Sequence, residues 1–238
     1  MPSFNYDFPY ASKKLPIFAA NVVASSQHLA ATAGLRMLAK GGNAVDAAIA
    51  SAITITVVEP TMNGIGGDAF CILWDGEKLV GLNASGHSPA LMTPDRYTGK
   101  EKMPNVGWDS VTVPGAVSLW TALHARYGKL PFADLFEPAI KYASDGFRVS
   151  YMISRQWERA IDRLKGQESW VAAFLPNGRA PKPGELWKFP DQARSLASIA
   201  QSKGEAFYRG ELAEAMDRYA RATGGALRKA DLAAHQPD

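Results

Sequence analysis

Hydrophobic and small residues first recur at helical spacing from Ser25 or Ser26, where a hydroxyl can cap a helix. That helix runs through Leu29, Ala33 and Leu38 and stops at Gly41-Gly42, since glycine suits a helix C-terminus. Asn43 can cap a second helix, with Asp46 in its first turn. Its body, AVDAAIASAITITVV, is apolar or small on every side, the mark of a helix buried all round. The β-branched half, Ile53 to Val58, leaves a strand open as an alternative there. After Glu59-Pro60 comes the glycine-rich stretch Asn63-Gly64-Ile65-Gly66-Gly67-Asp68, which reads as a tight turn. Two short β runs, FCILW and KLVGL, flank Asp75-Gly76 and predict a hairpin. The loop Asn83–Pro89 follows it, and residues 91–107 read as polar and irregular.

Beyond this point the period is mostly helical. A β-like piece, Val111 to Pro114, leads into a helix from Ala116 that closes at Gly128. A further helix is expected from Phe132 to Ser144. Another covers 151–165, where Ile153, Trp157, Ile161 and Leu164 share a face. Residues 175–190, rich in proline and glycine, read as a loop. Helices over 191–202 and 211–222 complete the pattern, and the tail after Asp231 carries no evident finishing element. Residues 1–20 read as an irregular arm and 21–238 as one incomplete domain. The order is α+β and helix-rich. Two to four strands are too few to form a sheet layer around so many helices. The chain is therefore expected to contribute strands to a sheet completed by other sequence. Alone it would leave strand edges and apolar faces uncovered.

Composition narrows the chemistry. The chain has 238 residues, 47% hydrophobic, with 26 basic against 23 acidic side chains. No basic run exceeds Lys13-Lys14, so nothing argues for a nucleic-acid partner. The single cysteine, Cys71, excludes an internal disulfide, and its apolar neighbours predict a buried core position rather than a reactive thiol. The four histidines show no metal-ligand spacing, and no metal or cofactor is expected. The N-terminal residues lack the order of a secretory signal, and no apolar run suits a membrane span. These features predict a cytoplasmic protein.

Candidate sites are few. Gly64-x-Gly66-x-x-Ala69 matches a dinucleotide fingerprint as a string. A hairpin strand follows it in place of the required helix, and no acidic residue stands about 20 positions on. No Gly-x-Ser-x-Gly elbow occurs. His87, among small residues at a strand end, could line a substrate pocket or simply be a surface histidine. Trp157, Trp170 and Trp187 fit packing better than a ligand platform.

Several segments, in order, resemble the γ-glutamyltransferase (γ-glutamyltranspeptidase) family, N-terminal large-subunit portion. They are Gly41-Gly42-Asn43-Ala44-Val45-Asp46-Ala47-Ala48; Val58-Glu59-Pro60 with Asn63 to Asp68; Val111-Thr112-Val113-Pro114-Gly115; Tyr127 to Pro131 with Pro138-Ala139-Ile140 and Asp145-Gly146-Phe147; and Thr223-Gly224-Gly225 with Asp231-Leu232. The resemblance implies part of an N-terminal-nucleophile hydrolase, an αββα sandwich. It implies a proenzyme that cleaves itself before a threonine, whose freed α-amine serves as base for its own hydroxyl. That threonine and the oxyanion glycines belong to the family's small subunit, so no catalytic residue is assigned in this chain. The implied partners are the small subunit of the same precursor, as a heterodimer or higher oligomer, and a small-molecule amide.

One departure from the family bears on substrate. Typical transferases carry an arginine after the second hairpin strand that grips the glutamyl α-carboxylate. Aligned through Asn83-Ala84 and Pro89, that position is Ser85. The stretch Asn83 to Pro89 instead resembles a subgroup that includes glutaryl-cephalosporin-type acylases, in which a basic residue often stands at the position of His87. Ser85, Gly86 and His87 are thus expected to bind the acyl group. The resemblance also admits a truncated, non-catalytic member acting as a binding or structural protein.

Overall fold

The computed structural model describes residues 17–238. Residues 1–16 of the expected N-terminal arm lie outside the described residues, and 17–20 are exposed and without regular structure. Helix α1 (His28–Ala39) packs against α2 (Ala44–Val58). The cap of α1 is Gln27, not the expected serine hydroxyl: its side chain accepts from Leu29 N at 2.6 Å. Ser26 is used elsewhere, donating to Glu59 Oε2 at 2.9 Å.

Helix α2 is the centre of the core. Asn43 and Asp46 form a reciprocal capping box, and Asp46 also accepts the N–H groups of Lys129 and Leu130 at 3.0 and 3.2 Å. That carboxylate is fully buried. It therefore ties the start of α2 to the far end of α3 (Ala116–Tyr127). Gly42 is needed beside it, because a Cβ there would meet Leu130 and the Met37 carbonyl at 2.8 Å. The β-branched segment Ile53 to Val58 stays helical. Burial of Ile53, Thr54, Val57 and Val58 on all sides outweighs its modest strand preference.

The hairpin forms as expected, β1 (Ala69–Trp74) antiparallel to β2 (Leu79–Ala84), with Trp74 opposite Leu79. Its side chains alternate. Ala69, Cys71, Leu73, Val80, Leu82 and Ala84 turn inward, while Phe70, Ile72, Trp74 and Leu79 face outward and are exposed. Cys71 is half-buried rather than fully buried, and burial raises its thiol pKa.

The segment Val111 to Pro114 is not assigned as a strand; it is an extended strut held by loops. The single helix expected over 132–144 is split into a 3-10 turn, Phe132–Phe136, and α4 (Glu137–Asp145). Pro138 lies in the first turn of α4 and has no N–H to continue the preceding turn. Two short strands went unread, β3 (Phe147–Arg148) and β4 (Leu186–Trp187), which pair antiparallel. They clamp the proline-rich segment onto α5 (Tyr151–Leu164) and α6 (Glu168–Phe174). Trp157, fully buried, stacks on Phe189 at 5.9 Å and meets Trp187 edge-on at 5.1 Å. The tryptophans 157 and 187 are thus core packing.

Helices α7 (Pro190–Ser202), α8 (Glu205–Tyr208), α9 (Glu211–Ala222) and α10 (Lys229–Ala234) follow. The tail, where the sequence shows no evident finishing element, is tied back to the hairpin. After α10, Asp238 exchanges both backbone hydrogen bonds with Asn83, at 2.6 and 2.9 Å. This is the pattern of an antiparallel pair on the free edge of β2. The fold is α+β and helix-rich, with two separate two-stranded sheets among the described residues.

Candidate functional site

Three short segments converge at the open end of the hairpin: the glycine turn 63–68, the strut 111–115 and the loop 83–89. Glu59 anchors the first by accepting Asn63 Nδ2 at 3.3 Å, and Gly67 N donates to Gly64 O at 3.1 Å. The Gly67 carbonyl then accepts Gly115 N and Ala116 N, at 2.9 and 3.0 Å. It thereby satisfies the first N–H groups of α3. Gly115 has no room for a side chain, since a Cβ would lie 1.8 Å from the Ala84 carbonyl.

The loop is seated on that strut. Val113 N donates to His87 O at 2.9 Å, and Thr112 Oγ1 donates to Ser85 O at 3.4 Å. Ser85 N donates to Asn83 Oδ1 at 3.0 Å, closing a side-chain turn at the strand end. Gly86 has φ +78°, and a Cβ there would stand 1.8 Å from the Val113 carbonyl. Both its conformation and its contact require glycine. Ser85 and Gly86 are half-buried and His87 is exposed. The three expected acyl-binding residues therefore share one rigidly seated loop. A cavity of about 270 Å³ opens on the other side of the glycine turn, lined by Asn63, Gly64, Asp68, Ala116 and Trp120, and not by the loop residues.

Sequence reasoning missed the groups beneath this loop. His235, Ser118 and Tyr208 are all buried. His235 Nε2 lies 2.9 Å from Ser118 Oγ, and its ring meets that of His87 edge-on at 6.4 Å. Burial, and secondarily the neighbouring His87, lower the His235 pKa, with Asp238 opposing them weakly. Burial pushes the Tyr208 hydroxyl up to about 12. The one available signal was Ser118, a polar residue at a core position of an apolar helix. Among the described residues no group of three or more His, Cys, Asp or Glu side chains could hold a metal ion, and no helix is long and apolar enough to cross a membrane.

Known proteins share this architecture and sequence. The gamma-glutamyltranspeptidase family model matches residues 30–238. The chain is 41% identical over 218 residues to the glutathione hydrolase-like YwrD proenzyme of Bacillus subtilis, covering 90% of this chain and 42% of that protein. It is 38% identical over 234 residues to the acylase ACY 1 proenzyme of Pseudomonas sp. strain V22, covering 92% of this chain and 42% of the relative. The solved cephalosporin acylase from Bacillus halodurans superposes with a TM-score of 0.92 at 45% identity, covering 98% of this chain and 45% of that one. The chain spans less than half the length of each of these proteins. With the ordered motifs, the seated loop and this match across most of its length, the chain belongs to the gamma-glutamyltranspeptidase family.

Proposed function

We propose that this chain is the large-subunit part of an autoprocessed amidohydrolase or acyltransferase acting on γ-glutamyl or related acyl amides. The nucleophile is the N-terminal threonine of a small subunit cut from the same precursor. Its α-amine takes the hydroxyl proton as the oxygen attacks the amide carbon. The amine product leaves with a proton, and water or an acceptor amine releases the acyl group. The relatives named as proenzymes support the processing step. The outward apolar residues of the hairpin support a covering subunit, and the two-sheet sandwich follows from that cover.

The observation that carries the substrate reading is the loop itself. Its backbone is fixed on the strut, and His87 is its one titratable side chain, exposed and three residues past the end of β2. With Ser85 where transferases hold an arginine, His87 is the loop's one basic side chain able to hydrogen-bond an acyl carboxylate. The test is the full-length enzyme assayed on γ-glutamyl- and glutaryl-anilides. His87→Ala should raise KM for carboxylate-bearing acyl groups about tenfold, the worth of one charge-assisted hydrogen bond, with kcat little changed. Unchanged KM and kcat on every amide would refute the loop's role.

A further inference from the structure

The hydrogen positions of the buried cluster under the loop follow from donor counting. Ser118 has one hydroxyl hydrogen, and it donates to Gly115 O at 2.7 Å. Toward His235 the hydroxyl can therefore only accept, so His235 Nε2 carries the proton. Tyr208 accepts the Ser118 N–H at 2.9 Å and donates to Pro114 O at 2.8 Å. Every bond of the cluster thus closes on the Pro114-Gly115 corner, the same strut that holds the His87 loop. His235 Nδ1 is buried and has no partner. A proton there would be an unpaired buried donor on a charged ring, beside a second imidazole.

We propose that His235 is a positioning residue for the His87 loop: its Nε2–H tautomer, fixed by Ser118, seats the Pro114-Gly115 corner beneath the loop. The consequence for catalysis rests on the reading of that loop as the acyl-binding loop; the seating does not. The groups around His235 fit this role. They are His87 from the loop, Ser118 from α3, Tyr208 from α8 and Asp238 from its own tail. Arg126, Lys203, Glu205 and Arg209 line the adjoining cleft of about 340 Å³. Glu205 is bridged to Arg209, which also holds Ala233 O at 3.1 Å, so the cleft offers His235 more positive than negative charge.

The sign follows. A histidine disfavoured as a cation in the folded state loses its seating as pH falls through the range below its ordinary value. KM for glutaryl-anilide in the autoprocessed full-length enzyme should therefore rise as pH falls through that range, with His235 setting this acid limb. His235→Gln keeps a donor for Ser118 without a titrating ring. It should flatten the acid limb and leave kcat unchanged, whereas His235→Ala should raise KM at all pH values.

The decisive readout is independent of turnover. In the ¹⁵N-histidine-labelled enzyme, His235 should be the Nε2–H tautomer and remain neutral below the ordinary histidine value of about 6.5. Ser118→Ala should allow the Nδ1–H form to appear. An Nδ1–H tautomer or an imidazolium at neutral pH, or an acid limb that survives in His235→Gln, overturns the proposal. If His87→Ala leaves KM untouched while the tautomer and its response to Ser118→Ala hold, the acyl-site reading fails and the seating stands.

Discussion

The helical body and the hairpin are built to different standards of closure. In the body, partners are found within this chain. Asp46 accepts three backbone N–H groups from two segments, and Trp157 is enclosed by Phe174, Trp187 and Phe189. In the hairpin only one face is used. Ile72 is 80% exposed and Leu79 68%, although both are strand residues that normally seek cover. An antiparallel ribbon with one wet face should carry polar residues there. The difference teaches that the body closes its own core, whereas the hairpin leaves one apolar face open, as the covering subunit proposed above would require.

That contrast can be broken in measurable ways. The largest effect belongs to the body: Trp157→Ala should cost about 3–5 kcal/mol in urea unfolding, because the cavity lies among rings that cannot collapse into it. Asp46→Ala comes next, at about 3 kcal/mol, since it strips the cap of α2 and takes the acceptor from the Lys129 and Leu130 N–H groups. Smaller again is a pH effect from Tyr208. Its hydroxyl is held protonated up to about 12 against an ordinary 10.0, so the folded state keeps a proton that the unfolded state releases. Stability should fall as pH rises from 10 towards 12, by about 2–3 kcal/mol, and alkaline melts of Tyr208→Phe should lack that slope. The smallest effect is expected on the hairpin. Trp74→Ser should change the stability of the 238-residue chain alone by less than about 0.5 kcal/mol. In the full-length enzyme the same change should cost about 2 kcal/mol if that face is covered. Equal small effects in both would make the outer face a true surface.

Much of the fold was legible because it is written locally. The Asn43/Asp46 cap and the two β runs around the Asp75-Gly76 turn each state their structure within a few residues. The failures share a physical cause, which is dependence on distant partners. Leu186-Trp187 becomes a strand only because Phe147-Arg148 lies beside it, and Asp238 orders only by pairing with Asn83. Gln27 displaces two serines as a cap because Ser26 is engaged by Glu59, 33 residues away. The site divides the same way. Ser85, Gly86 and His87 are contiguous and could be singled out as a loop. His235, more than a hundred residues on, reaches them through its edge-on ring contact with His87 and is fixed there by the buried Ser118.

The central claim is that this chain is one part of a self-cleaving amidase whose nucleophile arrives with the missing cover of the hairpin. The most direct test is the intact mass of the protein expressed from its complete gene, paired with amide turnover by the same preparation. The account predicts two tightly associated chains, the second beginning at threonine, and turnover that is lost when that threonine is replaced by alanine. A single uncleaved chain that turns over no amide would contradict it.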